Sequence, residues 1–248
     1  MDKIKALTDI LTRLNNGESI ESVKEETKDL LEKISPTELS LAEQKLVEDG
    51  MKTEDLRGLC VIHMEMLKDT LEKLKASVDK EHPLYMMITE HDSILGFLQQ
   101  LEQLNNKIQC MDKDSIVEEN VKNLGVLAEN LISAENHHLR EEDALFPELE
   151  RLGITGPTRI MRLEHQELRT RKKNLLQLSE KFDSANLEEF KTQVDDNAKY
   201  LIFNLRDHIF KENHILYPSA LESIENSEKW QEIKDKCDEI GYCPFSEV

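Results

Sequence analysis

The amino-acid sequence predicts an all-α protein in which a smaller helical domain precedes an up-down-up-down four-helix bundle. Apolar residues recur at helical spacing through most of the 248 residues. Only 8 Gly and 6 Pro interrupt that pattern, so the helices should be long. The later helices are joined by connections of a few residues, which force neighbouring helices to run antiparallel.

Residues 1–80 form the predicted N-terminal helical domain. One of its helices begins with a capping box, in which Ser35 is the N-cap, Pro36 the first helical residue and Glu38 the third. A polar stretch that ends at Pro83 marks the expected boundary, because proline disfavours a helical conformation in the residue before it.

Residues 81–224 carry the predicted four-helix bundle, and residues 225–248 are expected to form a charged C-terminal tail. Pro147 and Pro218 fall inside two of the bundle helices and should bend or end them. The periodicity assigns the following ranges to the four helices, within a few residues at each end: 84–107, 114–151, 156–181 and 187–224.

The composition excludes several classes of function. The net charge of −19 repels phosphate backbones and anionic lipids, so we expect neither nucleic-acid binding nor a membrane-surface role. No apolar run approaches the roughly 20 residues needed to cross a bilayer, and the first residues lack the apolar core of a signal peptide. Four scattered Cys do not make a disulfide framework. Together these features predict a cytoplasmic protein with reduced thiols.

A metal-ligand pattern occurs twice in the bundle region, each time as a Glu-His pair, a His-x-x-x-Glu motif and a Leu-aromatic-Pro triplet. The copies begin at Glu90 and at Glu164, and the interval between their two histidines is 46 residues in one copy and 43 in the other. A duplicated set of this kind predicts a two-metal site with approximate two-fold symmetry. Six side chains are the candidate ligands: His91, His137, Glu141, His165, His208 and Glu212.

Helical spacing explains how all four bundle helices can reach one site. Residues four apart lie about 40° apart on one face of an α-helix, so each His-x-x-x-Glu motif can point both side chains inward. Four imidazoles and two carboxylates provide four bonds to each of two metals, if each carboxylate bridges. A six-coordinate ion then keeps two positions for a bridging oxygen species and an outside ligand. Imidazole with carboxylate suits Fe, Zn, Ni or Mn.

The alternative is that these residues are ordinary polar side chains of the bundle surface or core. A single His-x-x-x-Glu motif would mostly be incidental, but two copies with matching flanks are hard to obtain by chance. Four buried His and two buried Glu without a metal would also cost several kcal/mol in desolvation.

Four further polar residues near the pattern each have two interpretations. His138 and Glu142, one residue past proposed ligands, either contact those ligands or face solvent, and a register error would make both of them ligands. Glu90 and Glu164 either accept the N–H of a ligand imidazole from a neighbouring helix or carry surface charge.

Four stretches of the bundle region carry these motifs: EHDSILGFLQQL, HHLREEDALFPEL, RLEHQELR and HIFKENHILYPSAL. They resemble the hemerythrin-like HHE cation-binding family, over about residues 82–224. The resemblance implies a non-haem di-iron four-helix bundle whose two iron ions carry an oxo or hydroxo bridge, with zinc or manganese as alternatives. Carried over position by position, it implies the same six ligands. Residues 39–67 look like a helical domain of unknown function that often precedes such bundles.

Two departures from the oxygen-carrying hemerythrins change the functional expectation. Those proteins use a His-x-x-x-His pair on the third helix, whereas Met161 stands at the earlier position here. Their fourth-helix carboxylate is an Asp five residues after the histidine, whereas Glu212 follows His208 by four. The resemblance therefore points away from reversible oxygen storage and toward the iron-centre repair and nitric-oxide-responsive branch of the family.

Three functions stay open at the level of the sequence. The first is binding or sensing of O2, NO or peroxide at a di-iron site, with the N-terminal helices contacting a protein partner. The second is an enzyme that reduces NO or peroxide, or that donates iron to damaged iron–sulfur proteins. The third is a structural di-zinc bundle. We favour the first, because open positions on adjacent redox metals suit small ligands.

The cysteines and one further histidine offer weaker signals. Cys60 and His63 share one helical face and could bind a metal or form a redox switch, but both lie on an apolar stripe, where Cys is usually a small hydrophobe. Cys237 and Cys243 would form a thiol cluster with Cys60 if the tail folded back toward it. His82 would be a ligand only if the preceding loop folded back toward the site.

Overall fold

The computed structural model describes residues 70–112 and 117–246, together with scattered positions between residues 6 and 50. All regular secondary structure in these parts of the chain is helical, which confirms the predicted all-α class. Most of the predicted N-terminal domain, including Cys60 and His63, lies outside the described residues. No helix within the described ranges is both long enough and apolar enough to span a lipid bilayer.

The described helices follow the predicted order. In chain order they are α1 (Thr70–Ser77), α2 (Pro83–Gln109), α3 (Val117–Ser133), α4 (Glu135–Arg140), α5 (Phe146–Arg151), α6 (Gly156–Glu180), α7 (Leu187–Lys211), α8 (Tyr217–Ser223) and α9 (Ser227–Ile240). Two π-helical segments lie between them, π1 (Glu141–Leu145) and π2 (Glu212–Leu216). The predicted second and fourth bundle helices are therefore divided: α3, α4, π1 and α5 make up the second, and α7, π2 and α8 the fourth.

The π segments occur where proline follows in the sequence. The N–H of Phe146 bonds to the carbonyl of Glu141, and the N–H of Tyr217 bonds to that of Glu212, so each turn contains one residue more than an α-turn. The ring of the next residue, Pro147 or Pro218, would clash with a carbonyl four positions earlier in a regular α-helix, and the wider turn relieves this clash. The prediction that these prolines interrupt their helices is thereby confirmed.

Contacts along neighbouring long helices run in opposite chain directions. Early in α2, His91 bonds to Asn213, which follows α7, whereas late in α2, Asn105 bonds to Asp195, which lies early in α7. The same reversal of chain direction is found between α2 and α3, between α3 and α6, and between α6 and α7. Each long helix thus packs antiparallel to its neighbours, and α2 packs against both α3 and α7.

A polar layer lies between two buried apolar clusters of the bundle. One cluster fills the half of the bundle near the α6–α7 connection, and the other fills the half that contains α5, α8 and α9. On α2, Ile88 belongs to one cluster, Ile94 belongs to the other, and His91 lies between them. Because buried polar groups need partners, this layer is where the fold must supply compensating contacts.

The C-terminal residues form a helix that packs on the bundle. Ile233 and Cys237 on α9 are buried in the second apolar cluster. The side chain of Asn226 caps α9 by accepting the N–H of Glu228 at 2.7 Å. Gly241 ends the helix with a φ of +88°, a backbone conformation that favours glycine. The predicted charged tail is thus folded, and residues 241–246, called here the C-terminal strap, continue across the bundle.

Candidate metal centre

The six predicted ligands lie together in the polar layer. Each of them is at most 1% exposed. His91 comes from α2 and His165 from α6, whereas each His-x-x-x-Glu motif spans the junction between an α-helix and the π segment that follows it. The expectation that separate helices bring these side chains to one place is therefore met by the geometry.

The four imidazoles form two pairs. Nε2 of His91 lies 3.2 Å from Nε2 of His137, and Nε2 of His165 lies 2.9 Å from Nε2 of His208. The pairs come from equivalent positions of the duplicated pattern, so the imidazoles keep the approximate two-fold symmetry that the sequence predicts.

Each of these imidazoles is oriented by an acceptor at its other ring nitrogen, Nδ1. The four contacts are His91 with Asn213 Oδ1 at 2.9 Å, His137 with Glu90 Oε2 at 2.8 Å, His165 with Glu142 Oε1 at 2.6 Å, and His208 with Glu164 Oε2 at 2.7 Å. The three carboxylates can only accept, and Asn213 faces His91 with its amide oxygen, so Nδ1 of each ring carries a proton and Nε2 faces the centre. Such outer acceptors are the usual partners of metal-bound histidines.

These contacts decide between the two interpretations of the flanking acids. Glu90 and Glu164 accept N–H groups of candidate ligands from neighbouring helices, which is the first of the two interpretations, and Glu142 takes the same role. Asn213 was not predicted from the sequence. The duplicated pattern held the signal for it, since Asn213 follows Glu212 just as Glu142 follows Glu141.

The centre presents more acceptors than donors. Oε1 of Glu212 lies 2.7 Å from Nε2 of His208, yet neither that oxygen nor Oε2 of Glu141 has a hydrogen-bond partner among the described residues. Burial acts to lower the pKa of His165, but the carboxylates of Glu141, Glu142 and Glu212 outweigh it and raise this pKa to about 10. The carboxylates thus make this a space that attracts positive charge, whether as protons on the imidazoles or as metal ions, and imidazole with carboxylate is a donor set that suits iron, zinc or manganese.

The ligand atoms of the six residues fall into two groups that could each hold a metal ion, with all ligand atoms of a group within 4.8 Å of one another, and a third such group combines His138 with His165 and His208. The His91 group contains His91, His137 and Glu212, and the His165 group contains His165, His208, Glu141 and Glu212. Of the described residues, Glu212 alone belongs to both. The symmetry expected from the sequence therefore holds for the imidazoles and is broken at the carboxylates.

Comparison with known protein families agrees with this centre. Residues 82–220, more than half of the chain, match the hemerythrin HHE cation-binding domain. The chain belongs to the hemerythrin HHE family. Residues 7–73 match a family of unknown function, DUF438. No curated protein matches the chain. Both resemblances predicted from the sequence are confirmed.

His138 of this hemerythrin domain is buried beside the centre, where one of its ring nitrogens lies within 4.8 Å of ring nitrogens of His165 and His208. Its ring stacks on His165, with the ring centroids 4.0 Å apart and an angle of 11° between the planes. Burial and the nearby positive groups hold the pKa of His138 well below its usual value, so the ring stays neutral. His138 therefore packs on His165 and is a further candidate ligand beside the six predicted ones.

The acid that orients His137 has its own ion pair. Nη2 of Arg140 contacts Oε1 of Glu90 at 2.6 Å, and both side chains are buried. Burial alone would raise the pKa of Glu90, but the hydrogen bond from His137 and the charges of His137 and Arg140 lower it to about 2. Glu90 therefore stays ionised and keeps accepting the N–H of His137 over the whole physiological pH range.

The C-terminal strap covers this ion pair of the hemerythrin domain. The hydroxyl of Ser246 donates to Oε1 of Glu90, Sγ of Cys243 lies 3.8 Å from Nη2 of Arg140, and the Tyr242 ring lies under the guanidinium of Arg140. Cys237 and Cys243 are both buried here. Their predicted cluster with Cys60 falls outside the described residues, and the strap itself was not predicted.

Replacing Ser246 by alanine should lower the free energy of unfolding by about 1 kcal/mol, because a carboxylate in the interior loses one hydrogen bond. Chemical denaturation of the two proteins measures the difference. Ser227→Ala, at an exposed position of α9, is the matched control and should stay within about 0.5 kcal/mol of the unchanged protein. Equal effects of the two substitutions would mean that the strap does not stabilise Glu90.

His82 has a role away from the centre. Its Nδ1 accepts the N–H of Leu84 at 3.2 Å and so caps α2, and its ring lies 4.4 Å from the ring of Trp230. The loop before α2 does not fold back to the centre, so His82 is not placed as a ligand.

Proposed function

We propose that this chain binds or senses a small diatomic ligand, O2 or NO, at a pair of iron ions held by His91, His137, Glu141, His165, His208 and Glu212. The observation that carries the proposal is the set of four inward Nε2 atoms, each fixed by an acceptor at the other ring nitrogen. Such a buried, pre-organised set of donors beside two carboxylates is what a metal pair requires.

When bound, two ferrous ions supply redox electrons and open coordination positions for a small ligand. The chain itself contributes orientation and exclusion of water. The outer acids hold each imidazole in one tautomer, and the two apolar clusters enclose the polar layer on both sides. An enclosed, mostly apolar surrounding favours small uncharged ligands such as O2 and NO over charged or large ones.

The number of donors argues against a purely structural zinc site. Structural zinc sites are closed by four protein ligands, whereas the His91 group provides three residues, His91, His137 and Glu212. A metal ion in that group keeps at least one position for an outside ligand. This supports a binding or sensing role, in which the N-terminal helical domain, residues 1–80, reports the state of the bundle to a protein partner.

Metal analysis and spectroscopy on protein purified without oxygen test this function. We expect a pair of iron ions per chain, and exposure of the ferrous protein to air should produce the near-ultraviolet absorption of an oxidised iron pair. A stable stoichiometric adduct with O2 or NO supports binding or sensing. Repeated consumption of NO or peroxide would support the enzymatic alternative, and a colourless protein that contains zinc would overturn both.

A further inference from the structure

The two copies of the metal-ligand pattern differ in how far the outer acid is shielded from solvent. In each copy, a basic residue three positions after the second histidine pairs with that acid. Glu90 pairs with Arg140, and both side chains are fully buried. The equivalent pair, Glu164 with Lys211, stays partly exposed, at 17% and 15% of the two side chains. The C-terminal strap covers the first ion pair and accounts for this difference.

The strap is anchored to both helices that carry the first ion pair. On α2, the ring of Phe245 meets the ring of Phe97, with centroids 5.3 Å apart and an angle of 80° between the planes. On α4, the carbonyl of Tyr242 accepts an N–H of the Asn136 side chain at 3.2 Å. The strap therefore ties α2 to α4, the two helices that supply the imidazole pair of the first copy.

A single carboxylate connects the strap with the centre. Oε2 of Glu90 accepts the N–H of His137 at 2.8 Å. Oε1 of the same carboxylate accepts from Nη2 of Arg140 at 2.6 Å and from the hydroxyl of Ser246. Because Glu90 is 1% exposed, water cannot take the place of a lost partner. The orientation of Glu90 that serves His137 is therefore also the one that holds the strap.

We propose that the C-terminal strap is a positioning element of the centre, and that its docking on the bundle is linked through Glu90 to metal binding at His137. This inference rests on the proposed function and names the segment whose docking depends on the state of the metal pair. Ser246 and Arg140 hold Glu90 in the orientation that His137 needs, so a docked strap strengthens metal binding. A metal ion on Nε2 polarises the His137 ring, which strengthens the hydrogen bond from Nδ1 to Glu90 and so holds the strap in place.

Thermodynamic linkage sets the size of this effect in both directions. The outer hydrogen-bond partner of a metal-bound histidine changes metal affinity by about 10–100-fold, so about tenfold is expected for a strap that positions one such partner. Coupling between two binding events is reciprocal, so metal binding should favour the docked strap by the same factor. The second copy provides an internal comparison, because Glu164 faces solvent where Glu90 faces the strap.

Hydrogen exchange of the full-length protein tests this linkage. The amides of residues 241–246 exchange through local opening of the strap, and mass spectrometry follows them with and without Fe(II) in the absence of oxygen. Loading with Fe(II) should slow their exchange by at least about tenfold. A bound pair of iron ions with unchanged strap exchange would overturn the inference and leave the proposed function intact. A protein that binds no iron would overturn both.

Glu90→Gln and Glu164→Gln are matched variants, since each removes the charge of one outer acid. Glu90→Gln should reduce the effect of saturating Fe(II) on strap exchange to less than about threefold, because the amide transmits less between His137 and the strap. Glu164→Gln should keep a slowing of at least about tenfold. Loss in both variants would show that the strap responds only to overall stability, and retention in both would show that Glu90 does not transmit the effect. Either result overturns the inference.

Phe245→Ala tests the reverse direction by removing an anchor of the strap other than Glu90. It should lower the affinity for Fe(II), measured without oxygen in competition with a chromophoric chelator, by at least about threefold. Phe182→Ala, which removes one ring of a similar edge-to-face pair with Phe190 far from the centre, is the control and should stay within about twofold. Equal losses would mean that the strap contributes stability alone, which contradicts the inference. If Phe245→Ala does not fold, hydrogen exchange of the unchanged protein still decides.

Discussion

Glu212→Ala should abolish binding of the metal pair, whereas Glu141→Ala should leave a single ion bound. Glu212 contributes an oxygen to each of the two groups, and Glu141 belongs only to the His165 group. Loss of a hydrogen-bonding partner of a ligand already weakens metal affinity by about 10–100-fold, so loss of a ligand itself should cost at least about 100-fold. Both variants should also melt at lower temperature, because buried histidines lose their partner.

Elemental analysis of the purified variants, loaded under identical conditions, measures this effect. Glu225→Ala, at an exposed position outside the centre, is the matched control and should retain the full metal content. Unchanged metal stoichiometry in both Glu141→Ala and Glu212→Ala would refute the assignment of these acids as ligands. Equal losses in the two variants would instead restore the symmetric arrangement in which each carboxylate bridges.

Lys172→Met should raise the free energy of unfolding by up to about 3 kcal/mol at pH 7. Lys172 on α6 is 1% exposed, and its ammonium has no hydrogen-bond partner within the described part of the chain. Burial lowers the pKa of Lys172 from 10.5 to about 8, although the charge of Glu135 opposes this. A pKa difference of this size corresponds to about 3 kcal/mol of destabilisation whenever the group is charged in both states. Methionine has a similar volume and needs no partner.

The same argument predicts how the gain depends on pH. Below pH 8, Lys172 is charged in the folded and the unfolded chain, and the cost of burying the charge is fully present. Between pH 8 and 10.5, the folded protein releases the proton while the unfolded chain keeps it, so the unchanged protein becomes more stable as pH rises. The advantage of Lys172→Met should therefore shrink over this interval.

Denaturation with guanidinium chloride at pH 7 and at pH 10 measures both effects. Lys173→Met, at the exposed neighbouring position, is the matched control and should change the free energy of unfolding by less than about 0.5 kcal/mol at either pH. A Lys172→Met variant less stable than the unchanged protein at pH 7 would show that Lys172 has a stabilising partner.

Much of the candidate metal centre could be predicted from the local spacing of residues in the sequence. His137 and Glu141 lie four residues apart, and helix geometry alone places such side chains on one face. Glu90 was a candidate acceptor because it precedes a candidate ligand, and the structure shows it bonded to His137. The duplication predicted that the two copies share one site, because each copy alone has too few ligands for a two-metal site and needs the other to complete it.

Other features depend on contacts that spacing does not encode. The hydroxyl of Tyr217 reaches Glu141 from a segment 76 residues away, and the hydroxyl of Ser246 reaches Glu90 across 156 residues. No helical period relates positions so far apart. The π segments were also missed, because they follow from a clash between a proline ring and the preceding turn, which an average α-helical repeat does not represent.

The chain's own pattern was thus sufficient for the helical class, the family and the six inward side chains, because each follows from periodicity, motif or duplication within short stretches. Packing of remote segments was needed to establish which acid belongs to both groups of side chains and which buried polar atoms stay unpaired. The physical reason is that these properties arise from distances of a few ångströms between helices. The hydroxyl of Tyr217, which the ring of Phe146 lacks, gives Glu141 a hydrogen bond from such a remote segment.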